Sequence, residues 1–311
     1  MSFSLTIIGS SSAVPVSGRF PSAHAIKLHE RIFLVDCGEG TQMQLRKFDL
    51  SFGKINHIFI SHLHGDHTFG LFGLLSSYKL LDRKADLHLY ANPLLKTILD
   101  EHHKYFYQEQ FPFPLIFHPF GAGKKQLIFE DDQIEVSTIP LKHSIPSCGF
   151  LFREKPPLLN IRKEMIERYR IPVEKINEIK RGMDYIAEDG ERIENKKLTF
   201  PPYKPRSIAV CSDTRYTESI IPQISGADIL YHEATYLDNM RKRADETFHS
   251  TARQAGMLAR KANVGKLIIG HFSGRYKIPD PIVAEAREEF PNTFSAEEGE
   301  SHNIRPLRQK E

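Results

Sequence analysis

The chain has 311 residues, 40% of them hydrophobic and 26% charged, with a formal net charge of +3. That length can bury one large core, or one core plus an appendage, and the balance is ordinary for a globular protein. No stretch approaches 18 uninterrupted apolar residues, which excludes an expected membrane span, and so mild a charge does not by itself argue for nucleic-acid binding.

Met1-Ser2-Phe3-Ser4-Leu5 lacks a basic n-region and a long apolar core, so no signal peptide is expected. Leu5–Ile8, His24–Leu28 and Arg31–Val35 are predicted strands, joined by Gly9-Ser10-Ser11-Ser12 and by a tight turn at His29-Glu30. Cys37, Cys148 and Cys211 have no paired spacing. They are expected to be buried free thiols, which fits a reducing cytoplasm. Leu71, Leu74, Leu75 and Tyr78 recur at helical spacing. Leu87–Tyr90 predicts a strand, and Pro93 starts a helix running to about Tyr105. Gln126–Phe129 and Gln133–Ile139 flank Glu130-Asp131-Asp132 as a hairpin. Between about 154 and 204 apolar periodicity weakens. Lys155–Lys204 carries twelve Lys or Arg against nine Asp or Glu, and its composition reads as a solvated insertion, helical around Ile161–Arg170. Strands are then predicted at Ser207–Cys211, Asp228–Tyr231 and Leu267–Ile269. Between the last two lies a helix with Ser250 as its N-cap and Ala252, Ala255, Gly256 and Ala259 inward. Strands alternate with helices in two halves, as a four-layer αβ/βα sandwich requires.

The most informative segment is His62-Leu63-His64-Gly65-Asp66-His67, directly after the apolar run Ile58-Phe59-Ile60. Imidazole nitrogen and carboxylate oxygen suit zinc. His62 and His64 alternate as on extended backbone, so both can converge on one metal. Asp66 and His67 follow a turn permitted by Gly65 and can face a second. A random histidine-rich loop would rarely place an acid here or follow a buried strand so closely. His143, Asp213 and His271 each follow an apolar, strand-like run. Ligands at the ends of neighbouring strands can gather at one sheet edge.

This series, His-x-His-x-Asp-His followed by His143, Asp213 and His271, resembles the ligand set of the metallo-β-lactamase superfamily. Further segments resemble ribonuclease Z, the endonuclease that removes the 3′ trailer from precursor tRNA. They are Leu5-Thr6-Ile7-Ile8-Gly9 with Pro15 and Arg19, Val35–Gln42, Ser212-Asp213-Thr214-Arg215, His232-Glu233-Ala234-Thr235-Tyr236, Phe248-His249-Ser250-Thr251, and His271–Tyr276. The likeness runs from about residue 3 to about residue 295.

The resemblance implies a single α/β catalytic domain over 1–311 of the metallo-β-lactamase type, with a flexible tRNA-binding arm inserted at about 154–204. It implies two zinc ions per chain, one held by His62, His64, His143 and Asp213. The other is held by Asp66, His67, Asp213 and His271, with Asp213 bridging. It makes Asp66 the proton acceptor and His249 the general acid, with Glu233 keeping that imidazole charged. His232 supports the site, and Arg275 either binds a substrate phosphate or forms a structural ion pair. The implied partners are precursor tRNA and a second copy of the chain, with no membrane. The arm of one subunit grips tRNA while the other subunit cuts.

Two features depart from the family. Its N-terminal loop pattern Pro-x-Lys-x-Arg-Asn is Pro15-Val16-Ser17-Gly18-Arg19-Phe20 here, so Ser17 and Phe20 leave the cleavage position and the discrimination against CCA ends open. The arm lacks the usual Gly-Pro tip. Competing expectations are a zinc phosphodiesterase acting on small phosphodiesters or other RNA, a thioester or lactone hydrolase, and a non-enzymatic RNA-binding relative. The insertion argues against the first, and the pair Glu233 and His249 against the second. The seven intact ligands argue against the third.

Overall fold

Successive residues of a strand face opposite sides, and in this chain both sides are apolar, so each sheet must be covered twice. The computed structural model describes residues 2–13, 16, 18–107 and 111–307; Pro15 and Ser17 lie outside the described residues. The first half comprises β1 (Phe3–Gly9), β2 (Ala23–Leu28), β3 (Arg31–Val35), α1 (Thr41–Lys47), β4 (Ile55–Phe59), α2 (Gly65–Leu80), β5 (Leu87–Ala91), α3 (Leu94–Phe106) and β6 (Leu115–Pro119). Then come β7 (Leu127–Glu130), β8 (Ile134–Pro140) and β9 (Cys148–Glu154). The inserted segment holds β10 (Asn160–Ile161), α4 (Lys163–Arg168), α5 (Val173–Lys180), β11 (Tyr185–Ile186), β12 (Arg192–Ile193), α6 (Asn195–Leu198) and β13 (Thr199–Phe200). The second half adds β14 (Ser207–Cys211), α7 (Ile221–Ile224), β15 (Ile229–Glu233), α8 (Arg241–Glu246), α9 (Ala252–Lys261), β16 (Lys266–Gly270), α10 (Asp280–Glu289), β17 (Thr293–Ser295) and β18 (Ser301–Asn303).

Two seven-stranded sheets form, in the orders β18-β1-β2-β3-β4-β5-β6 and β17-β16-β15-β14-β9-β8-β7. Phe33 and Val35 of β3 join Phe59, Phe150, Phe152, Val210 and Ile268 in the core between the sheets. Their neighbours Ile32 and Leu34 turn outward to Leu71, Leu74, Leu75 and Leu99 of α2 and α3. On the other sheet, Ala209, Leu230 and Ile269 meet Ala255, Leu258, Ala259, Ile282 and Ala286 of α9 and α10. Three cores separate four layers, which is the αβ/βα sandwich expected from the sequence.

Connectivity sets where function can lie. Strands β3 and β4 run parallel, as do β14, β15 and β16, while β8 and β14 both pair antiparallel with β9. The carboxyl ends of β8, β14, β15 and β16 therefore share one edge, and the expected ligands follow those ends.

Some boundaries differ from expectation. The cap of α9 is Thr251, not Ser250. Its hydroxyl accepts from Gln254 N and the Gln254 side chain returns to the Thr251 amide, a capping box. Ser250 instead donates to Thr214 O at 2.7 Å. Gly65 is not a left-handed turn residue but the first residue of α2, with His64 as its N-cap. A Cβ at Gly65 would collide with the Phe69 ring. The inserted segment is no structureless solvated stretch. It carries two further helices and its own apolar cluster of Ile171, Ile179, Tyr185, Ile193 and Leu198. Its roots are tied by a buried pair, Arg206 Nε and Nη2 donating to Glu154 at 2.8 and 2.6 Å.

Candidate metal centre and active site

Directly after β4, the chain stays extended through His64 and then enters α2, which carries Asp66 and His67 on its first turn. His62 Nε2 and His143 Nε2 each stand 3.1 Å from His64 Nδ1 and 3.7 Å from Asp213 Oδ2. His67 Nε2 lies 3.5 Å from Asp66 Oδ2 and 3.4 Å from Asp213 Oδ1. His271 Nε2 lies 3.4 Å from Asp66 Oδ2 and 3.2 Å from Asp213 Oδ1. Ligands at about 2.0–2.2 Å around one tetrahedral zinc stand roughly 3.3–3.6 Å apart. The two four-residue groups thus have the size of two coordination shells. Asp213 contributes a different oxygen to each.

The donor atoms fit a cation. His67 Nε2 and Asp213 Oδ1 are buried without a hydrogen-bond partner among the described residues, both directed into the second group. Burial alone would lower the pKa of His67, yet Asp213, Asp66 and Asp36 hold it well above the usual imidazole value. Burial raises the carboxyl of Asp66, but His67 and His271 pull it well below the ordinary range. The pocket thus demands positive charge at its centre, which a metal ion supplies and a proton on His67 otherwise must.

Four of the five imidazoles are oriented through their second nitrogen. His67 Nδ1 donates to Asp36 Oδ2 at 2.8 Å, and His143 Nδ1 to Phe248 O at 3.0 Å. His271 Nδ1 donates to Thr235 Oγ1 at 3.0 Å, and that hydroxyl donates to Glu233 Oε2 at 2.7 Å. Ser61 Oγ, 3.0 Å from His62 Nδ1, donates to Asp36 Oδ2. Asp36, Phe248 and His271 all have positive φ, so the turns that aim these groups are held in an uncommon backbone region. Asp36, Ser61 and Thr235 carry no assigned role in the sequence reading. The available signal for Asp36 is its position just past β3, beside the strand that delivers His62.

Beside the metal-type groups, the fully buried Glu233 accepts from His249 Nδ1 at 2.9 Å and from Thr214 N at 2.9 Å. Burial works against the charge of His249, but Glu233, Asp213 and Asp66 prevail and push its pKa up to about 9. The carboxyl of Glu233, raised by burial, is lowered on balance by His249. Glu233, His249 and His271 could also converge on a cation. Both Glu233 oxygens are already engaged by Thr214, Thr235 and His249, which makes the acid–base pair the better description. His232 is buried, with Nδ1 2.7 Å from Glu233 O. Arg275 is exposed and forms no ion pair among the described residues. Its guanidinium lies 5.2 Å over Tyr236, whose ring in turn meets His249. A cleft of about 500 Å³ opens over these groups, lined by Ala13, Glu39, Phe69 and Thr247 as well as by Asp66, His143, Asp213, His249 and His271. The Ala13 amide donates to Asp66 Oδ2 at 2.8 Å.

Residues 3–160 match the family described as anti-Pycsar protein Apyc1. That span includes His62–His67 and His143 and stops before Asp213, Glu233, His249 and His271. Over nearly its whole length the chain is similar to proteins named ribonuclease Z. It is 47% identical over 296 residues to that of Phocaeicola vulgatus, covering 95% of this chain and 96% of the relative. It is 43% identical over 300 residues to that of Porphyromonas gingivalis strain W83, covering 95% and 97%. The crystal structure of human tRNase Z, short form, matches with a TM-score of 0.70 at 25% identity, covering 96% of this chain and 98% of that one. The metallo-beta-lactamase fold protein YhfI from Bacillus subtilis matches in fold with a TM-score of 0.68 at 17% identity, covering 98% and 100%.

Proposed function

Because the chain belongs to the ribonuclease Z family, and through residues 3–160 also to the family described as anti-Pycsar protein Apyc1, we propose that it is a two-zinc endoribonuclease that removes the 3′ trailer from precursor tRNA. The observation that carries the reading is Asp213. Its two oxygens face two separate sets of metal-type donors, with the Glu233–His249 pair alongside.

Bound at these groups, two zinc ions would polarise the phosphoryl oxygens and make water acidic enough to attack near neutral pH. His62, His64, His143 and Asp213 would hold one ion, and Asp66, His67, His271 and Asp213 would hold the other. Asp66, held ionised by His67 and His271 against its burial and oriented by the Ala13 amide, accepts a proton from the attacking water. Water adds to phosphorus as the bond to O3′ breaks, leaving a 3′-hydroxyl on tRNA and a 5′-phosphate on the trailer. His249, kept protonated by Glu233, delivers the proton that the departing O3′ needs. Asp66, His249 and Glu233 are thus the catalytic residues of the proposal. Arg275 faces substrate phosphate near Tyr236 and His249, where no acid among the described residues pairs with it.

Residues 154–204 are the tRNA-docking arm of one catalytic domain, held at its roots by Glu154 and Arg206. We place the protein in the cytoplasm as a homodimer. Three buried free thiols suit a reducing compartment, and Leu80, Leu94, Ile98 and Phe106 expose apolar surface on α2 and α3 for a second copy. Among the described residues no helix is long and apolar enough to cross a membrane.

Mapping the cut on two precursor tRNAs, one without and one with an encoded CCA, tests the reading and settles the position left open by Ser17 and Phe20. Cleavage beside the tRNA 3′ end is expected. Intact precursors alongside hydrolysis of a small phosphodiester would favour the small-substrate alternative instead.

A further inference from the structure

One group in the cleft differs in kind from the ionisable residues that the proposed chemistry uses. Phe69 lies on α2, one helical turn or about 5 Å beyond Asp66, and lines the cleft with 64% of its surface exposed. Burying a phenyl ring is favourable by a few kcal/mol at most, and the ordinary place for this residue is the core beneath α2, where Leu71, Leu74 and Leu75 already lie. The ring instead rests against Gly65, where any side chain would collide with it. The bare backbone at Gly65 leaves the ring room to lie in this position. Among the described residues lining this cleft, Phe69 is the one apolar ring besides Pro21, and apart from Ala13 and Gly65 the rest are polar or ionisable.

We propose that Phe69 is a stacking platform for the nucleobase of a nucleotide adjoining the scissile phosphodiester. This rests on the ribonuclease reading above. Each nucleoside flanking the reacting phosphorus carries a base with two apolar faces, and aromatic side chains take such faces with little sequence preference. That tolerance suits a site that must accept unrelated trailers. A base laid on Phe69 fixes the rotation of its nucleotide, and so the line along which water approaches phosphorus, without forming any bond to the reacting atoms. Phe69 is a positioning and binding residue, not a chemical one.

The test uses the full-length, zinc-loaded protein and short RNAs spanning the cut. Each RNA carries either all its bases or one abasic nucleotide, 5′ or 3′ of the scissile bond. Phe69→Ala should raise KM for the all-base strand roughly 5- to 150-fold, the span that aromatic–base stacking contributes. Phe69→Trp should restore it. One of the two abasic strands should be bound by the wild type and by Phe69→Ala equally weakly, since the platform then has nothing to hold. The idea is overturned if the Ala variant shows no penalty, or the same penalty on both abasic strands as on the all-base strand. If the wild type cuts no strand, the ribonuclease reading fails on its own control. Equilibrium Kd values for the same RNAs then decide the stacking question by the same comparison.

Discussion

The metal edge and the inserted arm are built on opposite plans. At the edge, buried and half-buried polar groups are linked in chains, as in His271 to Thr235 to Glu233 to His249, and the metal-type donors come from four distant segments of sequence. In the arm, a cluster of five buried apolar residues holds together a shell of solvated charge, and all of it lies within residues 160–200. Low dielectric makes the edge unforgiving, because an orphaned polar group there costs its full desolvation. The arm's exposed ion pairs, such as Arg192 with Asp184, contribute little stability and leave its surface free to meet a polyanion. Chemistry and grip are therefore expected to fail separately.

The largest effect should come from Asp213→Ala. It removes one candidate ligand from each metal-type group at once and leaves His67 and His271 without the carboxylate that both approach. Turnover should vanish and bound zinc fall from two ions toward none, read by elemental analysis of the folded protein. Retention of both ions would deny Asp213 its bridging position.

His249→Ala breaks the other half of the edge. Both ions should stay, while cleavage slows by roughly 10²–10⁴-fold, the range for a lost general acid. Loss of zinc in this variant would mean that His249 is a ligand, as its proximity to His271 also permits.

Glu233→Gln sharpens the electrostatic claim. In the metal-free protein the folded His249 titrates near 9, above the ordinary 6.5. Its attraction to Glu233 is fully present below about 6.5 and is lost as the pH rises through about 9. With the carboxylate gone, the imidazole resonances should titrate at a lower pH, and stability at neutral pH should fall. An unmoved midpoint would show that Glu233 does not hold the proton in place.

The smallest effect tests the arm's independence. Ile179→Ala removes a side chain that is 1% exposed from the arm's own cluster. A loss of about 2–5 kcal/mol would be expected for such a core truncation. Hydrogen exchange should speed up within 160–200 and stay unchanged around β14, β15 and β16. Faster exchange throughout would show that the two regions unfold as one.

The sequence exposes what is local. The spacing His62 to His67 is visible because one strand end and one helix start deliver four metal-type donors within six residues. His143, Asp213 and His271 are visible because each closes an apolar run. Asp36 and Thr235 are not, because their partners His67 and His271 are 31 and 36 residues away and the turns that aim them depend on positive φ, which residue type alone does not announce. The apolar runs predict most of the central strands, whose two faces meet two cores, but not β9 between β8 and β14. They do not mark β17 or β18, three residues each, which are defined only by pairing with β16 and β1. The arm's core escaped notice because Ile171, Ile179, Ile193 and Leu198 are widely spaced among charges and keep no single period. Gly65 shows the same limit: a flexible turn expected from residue type, and in the fold a seat for the ring of Phe69.

The most direct test of separate chemistry and grip replaces residues 160–200 with a short Gly/Ser linker, leaving Glu154 and Arg206 to close the root. The shortened, zinc-loaded protein is then assayed on a precursor tRNA and on a small chromogenic phosphodiester. The account predicts a sharply raised KM on the tRNA, with salt dependence reduced, and hydrolysis of the small substrate close to that of the full chain. Equal loss of both activities in a folded protein carrying two zinc ions would contradict it, and so would undiminished processing of the tRNA.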